Sequence, residues 1–198
     1  MVDWATNAAN EHTFVVETTN SEALEPQSLS EVQLQPDWRL WGKATEEELV
    51  MLKEAGTWRL VDAPEGVNVV GSKWVFRAKK DAAGSVVRHK AHLVAQDFSQ
   101  VPGVDYFNTY APVARLASIR TVLVFTTAED LETGQINIKG AYLNGELTEN
   151  KVIYMKQPPG YTMSGSDGKP LVCRLQKALY GLKQSGHCWY QKLVEIMT

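Results

Sequence analysis

VVGSKWVFRAKKDAAGSVVRHKAHLVAQ, residues 69–96, decides how the rest of this chain is read. Two β-rich runs, Val69 to Lys80 and Ser85 to Ala95, flank the turn residues Asp81-Ala82-Ala83-Gly84. Apolar residues alternate at Trp74, Phe76 and Ala78, and again at Val87, Leu93 and Ala95, which predicts a hairpin with its basic residues outward. From Lys73 to Gln100 the cations Lys73, Arg77, Lys79, Lys80, Arg88 and Lys90 stand against Asp81 and Asp97 alone. A cluster of that sign attracts phosphates, and it equally suits a solvated face. Charge by itself leaves both open.

Upstream of the hairpin, residues 1–37 are polar and acidic, and they read as a flexible lead-in without enough apolar surface to order itself. A helical pattern follows over roughly Lys43 to Ala55. Thr45 and Glu48 have the spacing of a capping box, Leu49 and Leu52 supply an apolar face, and Gly56 is a stop signal. Trp58 to Val61 reads as a short strand before a Pro64-Glu65-Gly66 turn.

Downstream, Gln100-Val101-Pro102-Gly103 breaks the hairpin pattern. A helix is predicted over Leu116 to Glu129, with Leu116, Ile119, Val122 and Leu123 on one face. Short strands are predicted at Gln135–Ile138 and Val152–Met155, then a loop over 162–170. A final helix over Ser185–Met197 carries a stripe of Trp189, Leu193 and Ile196. Strands interleaved with helices, with a hairpin arm ahead of them, give the α+β class.

The bulk composition fits an ordinary globular domain: 44% hydrophobic and 22% charged over 198 residues. No run approaches bilayer-spanning length and no signal peptide is visible, so an intracellular protein with reduced Cys173 and Cys188 is expected, not a secreted one. The net charge of −3 hides an asymmetry. Residues 1–66 hold 4 Lys+Arg against 13 Asp+Glu, and the remainder holds 16 against 10.

Six phrases carry a resemblance. They are GTWRLVDAP at 56–64, GSKWVFRAKKDAAGSVVRHKAHLVAQ at 71–96, GVDYFNTYAPVARLASIR at 103–120, QINIKGAYLNGEL at 135–147, IYMKQPPGY at 153–161 and CRLQKALYGLKQSGHCWYQKL at 173–193. In order and spacing they resemble the reverse transcriptase of copia-type long-terminal-repeat retrotransposons. That resemblance implies a partial right-hand polymerase, a fingers β-hairpin plus an incomplete palm. Fingers would occupy about 57–110 and palm about 111–198, within a truncated domain of 38–198. It implies an RNA-directed DNA polymerase within a polyprotein, acting on an RNA/DNA primer–template and deoxynucleoside triphosphates with Mg²⁺. Its setting would be cytoplasmic, in virus-like particles, or nuclear.

Nucleotidyl transfer of this kind uses two divalent cations about 4 Å apart, held by carboxylates. The resemblance places the first metal-binding aspartate where this chain carries Asn137, and the Asp-Asp pair beyond Thr198. No Asp-Asp pair occurs in the sequence. A degenerate metal site and a catalytically inactive chain are therefore expected. The resemblance makes Tyr142 the aromatic gate beneath the incoming sugar and sets Lys79, Lys80 and Lys90 at the triphosphate. Tyr180 and Gly181 would lie beside nucleotide and template. The alternative is a nonenzymatic nucleic-acid-binding relic that uses the basic hairpin of 73–100.

Departures from the family phrases run in one chemical direction. His92 and His187 stand where arginine is usual, Asp97 where glycine is usual, and Asn108 and Asn137 where aspartate is common. Each replacement can arise from one G-to-A transition in its codon, which points to directional mutation of this copy. Comparison of the gene with an intact copy is expected to show G-to-A transitions at all five codons. A mixture that includes transversions contradicts the idea.

Overall fold

The computed structural model describes residues 25–147 and 152–198. A five-stranded sheet organises them, in the order β1-β5-β4-β2-β3. The strands are β1 (Trp58–Val61), β2 (Val69–Lys80), β3 (Val86–Gln96), β4 (Tyr154–Lys156) and β5 (Val172–Leu175), and the helices are α1 (Leu29–Leu34), α2 (Trp38–Glu54), α3 (Leu116–Ala128) and α4 (Ser185–Met197). The α+β class stands.

The hairpin forms as its alternation predicts, except that Val87, near the tip, is exposed. β2 and β3 pair antiparallel, with Trp74 opposite Leu93 and Phe76 opposite Ala91, and a bulge falls at Lys79/Lys80. Val70, Trp74, Phe76, Ala91, Leu93 and Ala95 are buried. β4 runs parallel to β2 and antiparallel to β5, and β5 pairs antiparallel with β1. Ile153, Met155, Cys173 and Leu175 extend the same apolar layer. Helix α2 covers it with a stripe of Trp41, Ala44, Thr45, Glu48 and Leu52, the spacing of one face of a 3.6-residue helix. The Trp41 ring meets Phe76 edge-on at 5.6 Å and His89 at 4.4 Å. Burying a ring of that size contributes about 2–3 kcal/mol.

Several expectations change. Helix α2 starts at Trp38, so Thr45 is mid-helix and does not cap it; the Thr45 hydroxyl donates to the Trp41 carbonyl at 2.9 Å. Gly42, a weak helix former, lies within α2, where the buried Trp41 and Ala44 override its propensity. Part of the segment expected to be a flexible lead-in carries structure. Residues 1–24 lie outside the described part, but over 25–37 the chain is ordered. Ser28 caps α1, Val32 joins the core, and the Glu25 carboxylate pairs with Arg77 and accepts from Ala78 N. The acidic composition there serves a basic strand.

The strand expected over Gln135–Ile138 does not form, because a strand needs a ladder partner and none of the described residues pairs with it. Helix α3 forms over the expected residues, yet none of them is buried. β5, four residues long, was missed by the sequence reading; α4 matches it, with Trp189 and Leu193 half-buried and Ile196 exposed. None of the described helices is long and apolar enough to cross a membrane.

β3 is an outer strand, so half its backbone donors face away from β2. Two acceptors meet them. The Glu48 carboxylate, almost fully buried, accepts from Leu93 N at 3.3 Å, and the Tyr180 carbonyl accepts from Ala95 N at 2.8 Å. Gly181 permits the second contact. Its φ is +87°, and a Cβ there would collide with the Ala95 carbonyl. Left-handed backbone costs a non-glycine residue roughly 1–2 kcal/mol, and overpacking adds about 1–3 kcal/mol.

Gly181→Ala is thus expected to destabilise the fold by about 3 kcal/mol, read as a lowered urea midpoint with unchanged slope; an unaltered midpoint would show that the edge contact is dispensable. Cys173 supplies a second check. It is fully buried in the β4/β5 layer, and burial pushes its thiol up to about 12. At pH 8 it is expected to resist iodoacetamide in the folded protein and to react once the chain is denatured. Rapid native labelling of Cys173 would contradict the packing.

Candidate active-site groove

Glu48 and the Tyr180 turn cover the β3 edge without filling the space beside it. A groove of about 420 Å³ remains between α2, β3 and the segment 137–140. Of the residues singled out from the sequence, Lys90, Asn137 and Tyr180 line it. Tyr142, on a 3₁₀ turn over Ala141–Asn144, places its ring 5.0 Å from that of Tyr180. Gly140, with φ at +58°, begins that turn. Gly181 follows Tyr180 but does not itself line the groove. Lys79 and Lys80 do not line the groove. They are exposed near the hairpin tip, where Lys79 faces Arg88 across the ladder. Arg88 lines the groove instead, a contribution the sequence reading did not assign.

The acidic wall was also missed. Glu48 matched a capping box by spacing alone; in the fold its carboxylate also receives His92 Nδ1 at 3.3 Å. The Tyr180 ring lies 5.6 Å from His92. Burial holds the Tyr180 hydroxyl above its ordinary range, and the nearby Glu48 and Tyr142 push the same way. It stays protonated at neutral pH, a donor on the groove wall. Glu47, beside it on α2, pairs with Arg88 at 3.6 Å.

A buried amide network fixes the Tyr180–Gln184 turn from behind. Gln100 donates to Gln184 Oε1 at 3.1 Å and accepts from Lys183 N at 2.9 Å. Gln184 donates in turn to the Asp105 carbonyl at 3.0 Å, and the Asp105 carboxylate accepts from Asn68 and Val101 N at 2.6 Å each. Every polar atom of such a network has to be satisfied, which makes the turn rigid.

The five departures from the family phrases have definite places. His92 contacts Glu48; His187 Nδ1 donates to the Tyr110 carbonyl at 2.7 Å; Asp97 receives Lys183 Nζ at 3.1 Å. Asn108 accepts from Tyr110 N at 3.1 Å, and Asn137 is exposed on the groove wall. The donors do not suit a divalent-cation centre. Asn137 offers a neutral amide, Glu48 already accepts two hydrogen bonds, and Glu47 is paired with Arg88. Among the described residues no group of three or more His, Cys, Asp or Glu is placed to hold a metal ion.

Comparison with known proteins identifies the family. Residues 55–198 match the family model described as reverse transcriptase (RNA-dependent DNA polymerase). The chain is 42% identical over 177 residues to the retrovirus-related Pol polyprotein from transposon TNT 1-94 of Nicotiana tabacum, covering 89% of this chain and 13% of that protein. It is 39% identical over 174 residues to the Pol polyprotein from transposon RE1 of Arabidopsis thaliana, covering 87% of this chain and 12% of the relative. A Gag-Pol polyprotein of the yeast transposon Ty1-H is 30% identical over 153 residues, 74% of this chain and 8% of that protein. The chain thus spans about an eighth of the length of its plant relatives. No solved structure matches. On these grounds the chain belongs to the reverse transcriptase (RNA-dependent DNA polymerase) family, as a domain of the copia type found in retrotransposon Pol polyproteins.

Proposed function

We propose that this chain forms the fingers and the first part of the palm of a retrotransposon reverse transcriptase, and that it does not polymerise DNA. The observation that carries the reading is Asn137, exposed on the wall of the groove that Lys90 and Tyr180 also line. In an active enzyme of this family that post would carry an aspartate facing Mg²⁺. Replacing a carboxylate by an amide about 4 Å from a divalent ion removes an attraction on the order of 4 kcal/mol per unit charge at an effective dielectric of 20. If the transition state feels most of that, the rate falls roughly a thousandfold.

The remaining groove residues suit a nucleoside triphosphate and its template. Lys90, with Lys79 and Lys80 further out on the hairpin, offers mobile cations for phosphate oxygens. Tyr142, against Tyr180, offers an aromatic surface for a sugar, and Gly181 lets backbone approach closely. Primer–template and the rest of a Pol polyprotein would be the partners, in an intracellular setting.

A second reading, a nucleic-acid-binding relic without catalysis, is favoured by one observation. Lys73, Lys79, Lys80 and Lys90 make no ion pair among the described residues, so their charge is available to phosphates. Primer extension on an RNA template with Mg²⁺, run beside Asn137→Asp, separates the possibilities. The Asn137 protein is expected to stay at background, and robust synthesis by it would overturn the inactive reading. Binding of a primer–template duplex that weakens steeply with salt would support the relic; no binding at low salt would remove it.

A further inference from the structure

The solvent face of the sheet opposite α2 carries a second basic surface, separate from the hairpin. On β1 and β5, Arg59 lies directly across from Arg174, and Arg174 in turn lies across from Tyr154 on β4. The alternation that turns Leu60, Cys173 and Met155 toward the core turns Arg59, Arg174, Tyr154 and Lys156 the other way. Arg59, Arg174 and Lys156 are exposed. Beside this row lies a groove of about 530 Å³ lined by Arg59, Arg174 and Lys177, with Glu146 as its carboxylate.

Like charges placed directly opposite on neighbouring strands destabilise a sheet. Among the described residues, Arg59, Arg174, Lys156 and Lys177 make neither an ion pair nor a side-chain hydrogen bond. Two guanidinium groups held side by side suit successive phosphates, each of which can take two parallel N–H donors. An aromatic ring in the same row suits a base stacked beside its phosphate. Acidic protein surfaces would answer the charge but would leave Tyr154 without a role.

Gln176 and Lys177 line the basic groove, and Tyr180, three residues on, lines the other. We propose that the β1–β5–β4 face, through Arg59, Arg174 and Lys177, binds the phosphate backbone of single-stranded nucleic acid. Tyr154 stacks on one of its bases.

The experiment measures binding of a fluorescent 20-nucleotide single strand by anisotropy across a salt series. It compares the unaltered chain, the double variant Arg59→Gln/Arg174→Gln and the hairpin variant Lys79→Gln/Lys90→Gln. Each phosphate contact contributes roughly 0.7 to the slope of log affinity against log salt, so the arginine pair is expected to reduce it by about 1.4. This loss should add to that of the hairpin variant. An unchanged slope in a double variant that melts like the parent overturns the proposal.

A second readout needs no substitution. Phenylglyoxal modification of Arg59 and Arg174, followed by mass spectrometry, is expected to fall at least fivefold when the strand is bound. Full modification under saturating strand, or no binding of the strand at low salt, overturns the proposal. So does equal protection by poly-glutamate, which would mark a surface for acidic proteins.

Discussion

The backbone donors of β3 that point away from β2 set the terms for everything around them. A buried N–H without an acceptor costs a few kcal/mol, so an edge strand this close to the core needs acceptors or water. The chain supplies them from two distant places, the Glu48 carboxylate on α2 and the Tyr180 carbonyl ahead of α4. Both must arrive together. Glu48 is delivered by the stripe that also buries Trp41, Ala44 and Leu52, while Tyr180 depends on Gly181 and on the Gln100–Gln184–Asp105 amides. The groove is what remains between these two covers.

That arrangement explains why a polar site coexists with a tightly packed layer. Glu48 lies within the apolar stripe of α2, yet it is satisfied by Leu93 N and His92, so its burial is tolerated. The same carboxylate helps keep Tyr180 protonated. Structure and chemistry share these residues, and a change at Glu48 would disturb both. The segment after α3 follows another logic. It reaches the groove at Asn137–Gly140 without joining the sheet, so Asn137 is positioned by the Gly140 turn and not by a ladder.

Charge is distributed with a comparable division of labour. The acidic early residues contribute Glu25, Asp37, Glu47 and Glu48, which meet Arg77, His89, Arg88 and His92 along the hairpin. The charge asymmetry between the two parts of the sequence is thus partly spent inside the fold. Among the described residues the hairpin lysines and the Arg59–Arg174 row make no ion pair, and they lie where a polyanion can reach them.

Alternation of apolar residues determined the hairpin, and β2 with its Asp81–Gly84 turn came directly from it, because a period of two leaves a strand little freedom over which face it buries. Helices α3 and α4 and strand β1 were equally legible, and the six phrases pointed to the family before any fold was known. Tertiary structure decided the rest. Thr45 and Glu48 have capping spacing in one dimension, but the burial of Trp41 extends α2 past them. Gln135–Ile138 has strand composition, but composition provides no partner edge. The hairpin's length sets Lys79 and Lys80 near its tip, while Arg88 and Glu48 line the groove. The physical reason is the same in each case: local sequence fixes periodicity and backbone preference, whereas pairing, burial and proximity arise from contacts between residues far apart along the chain.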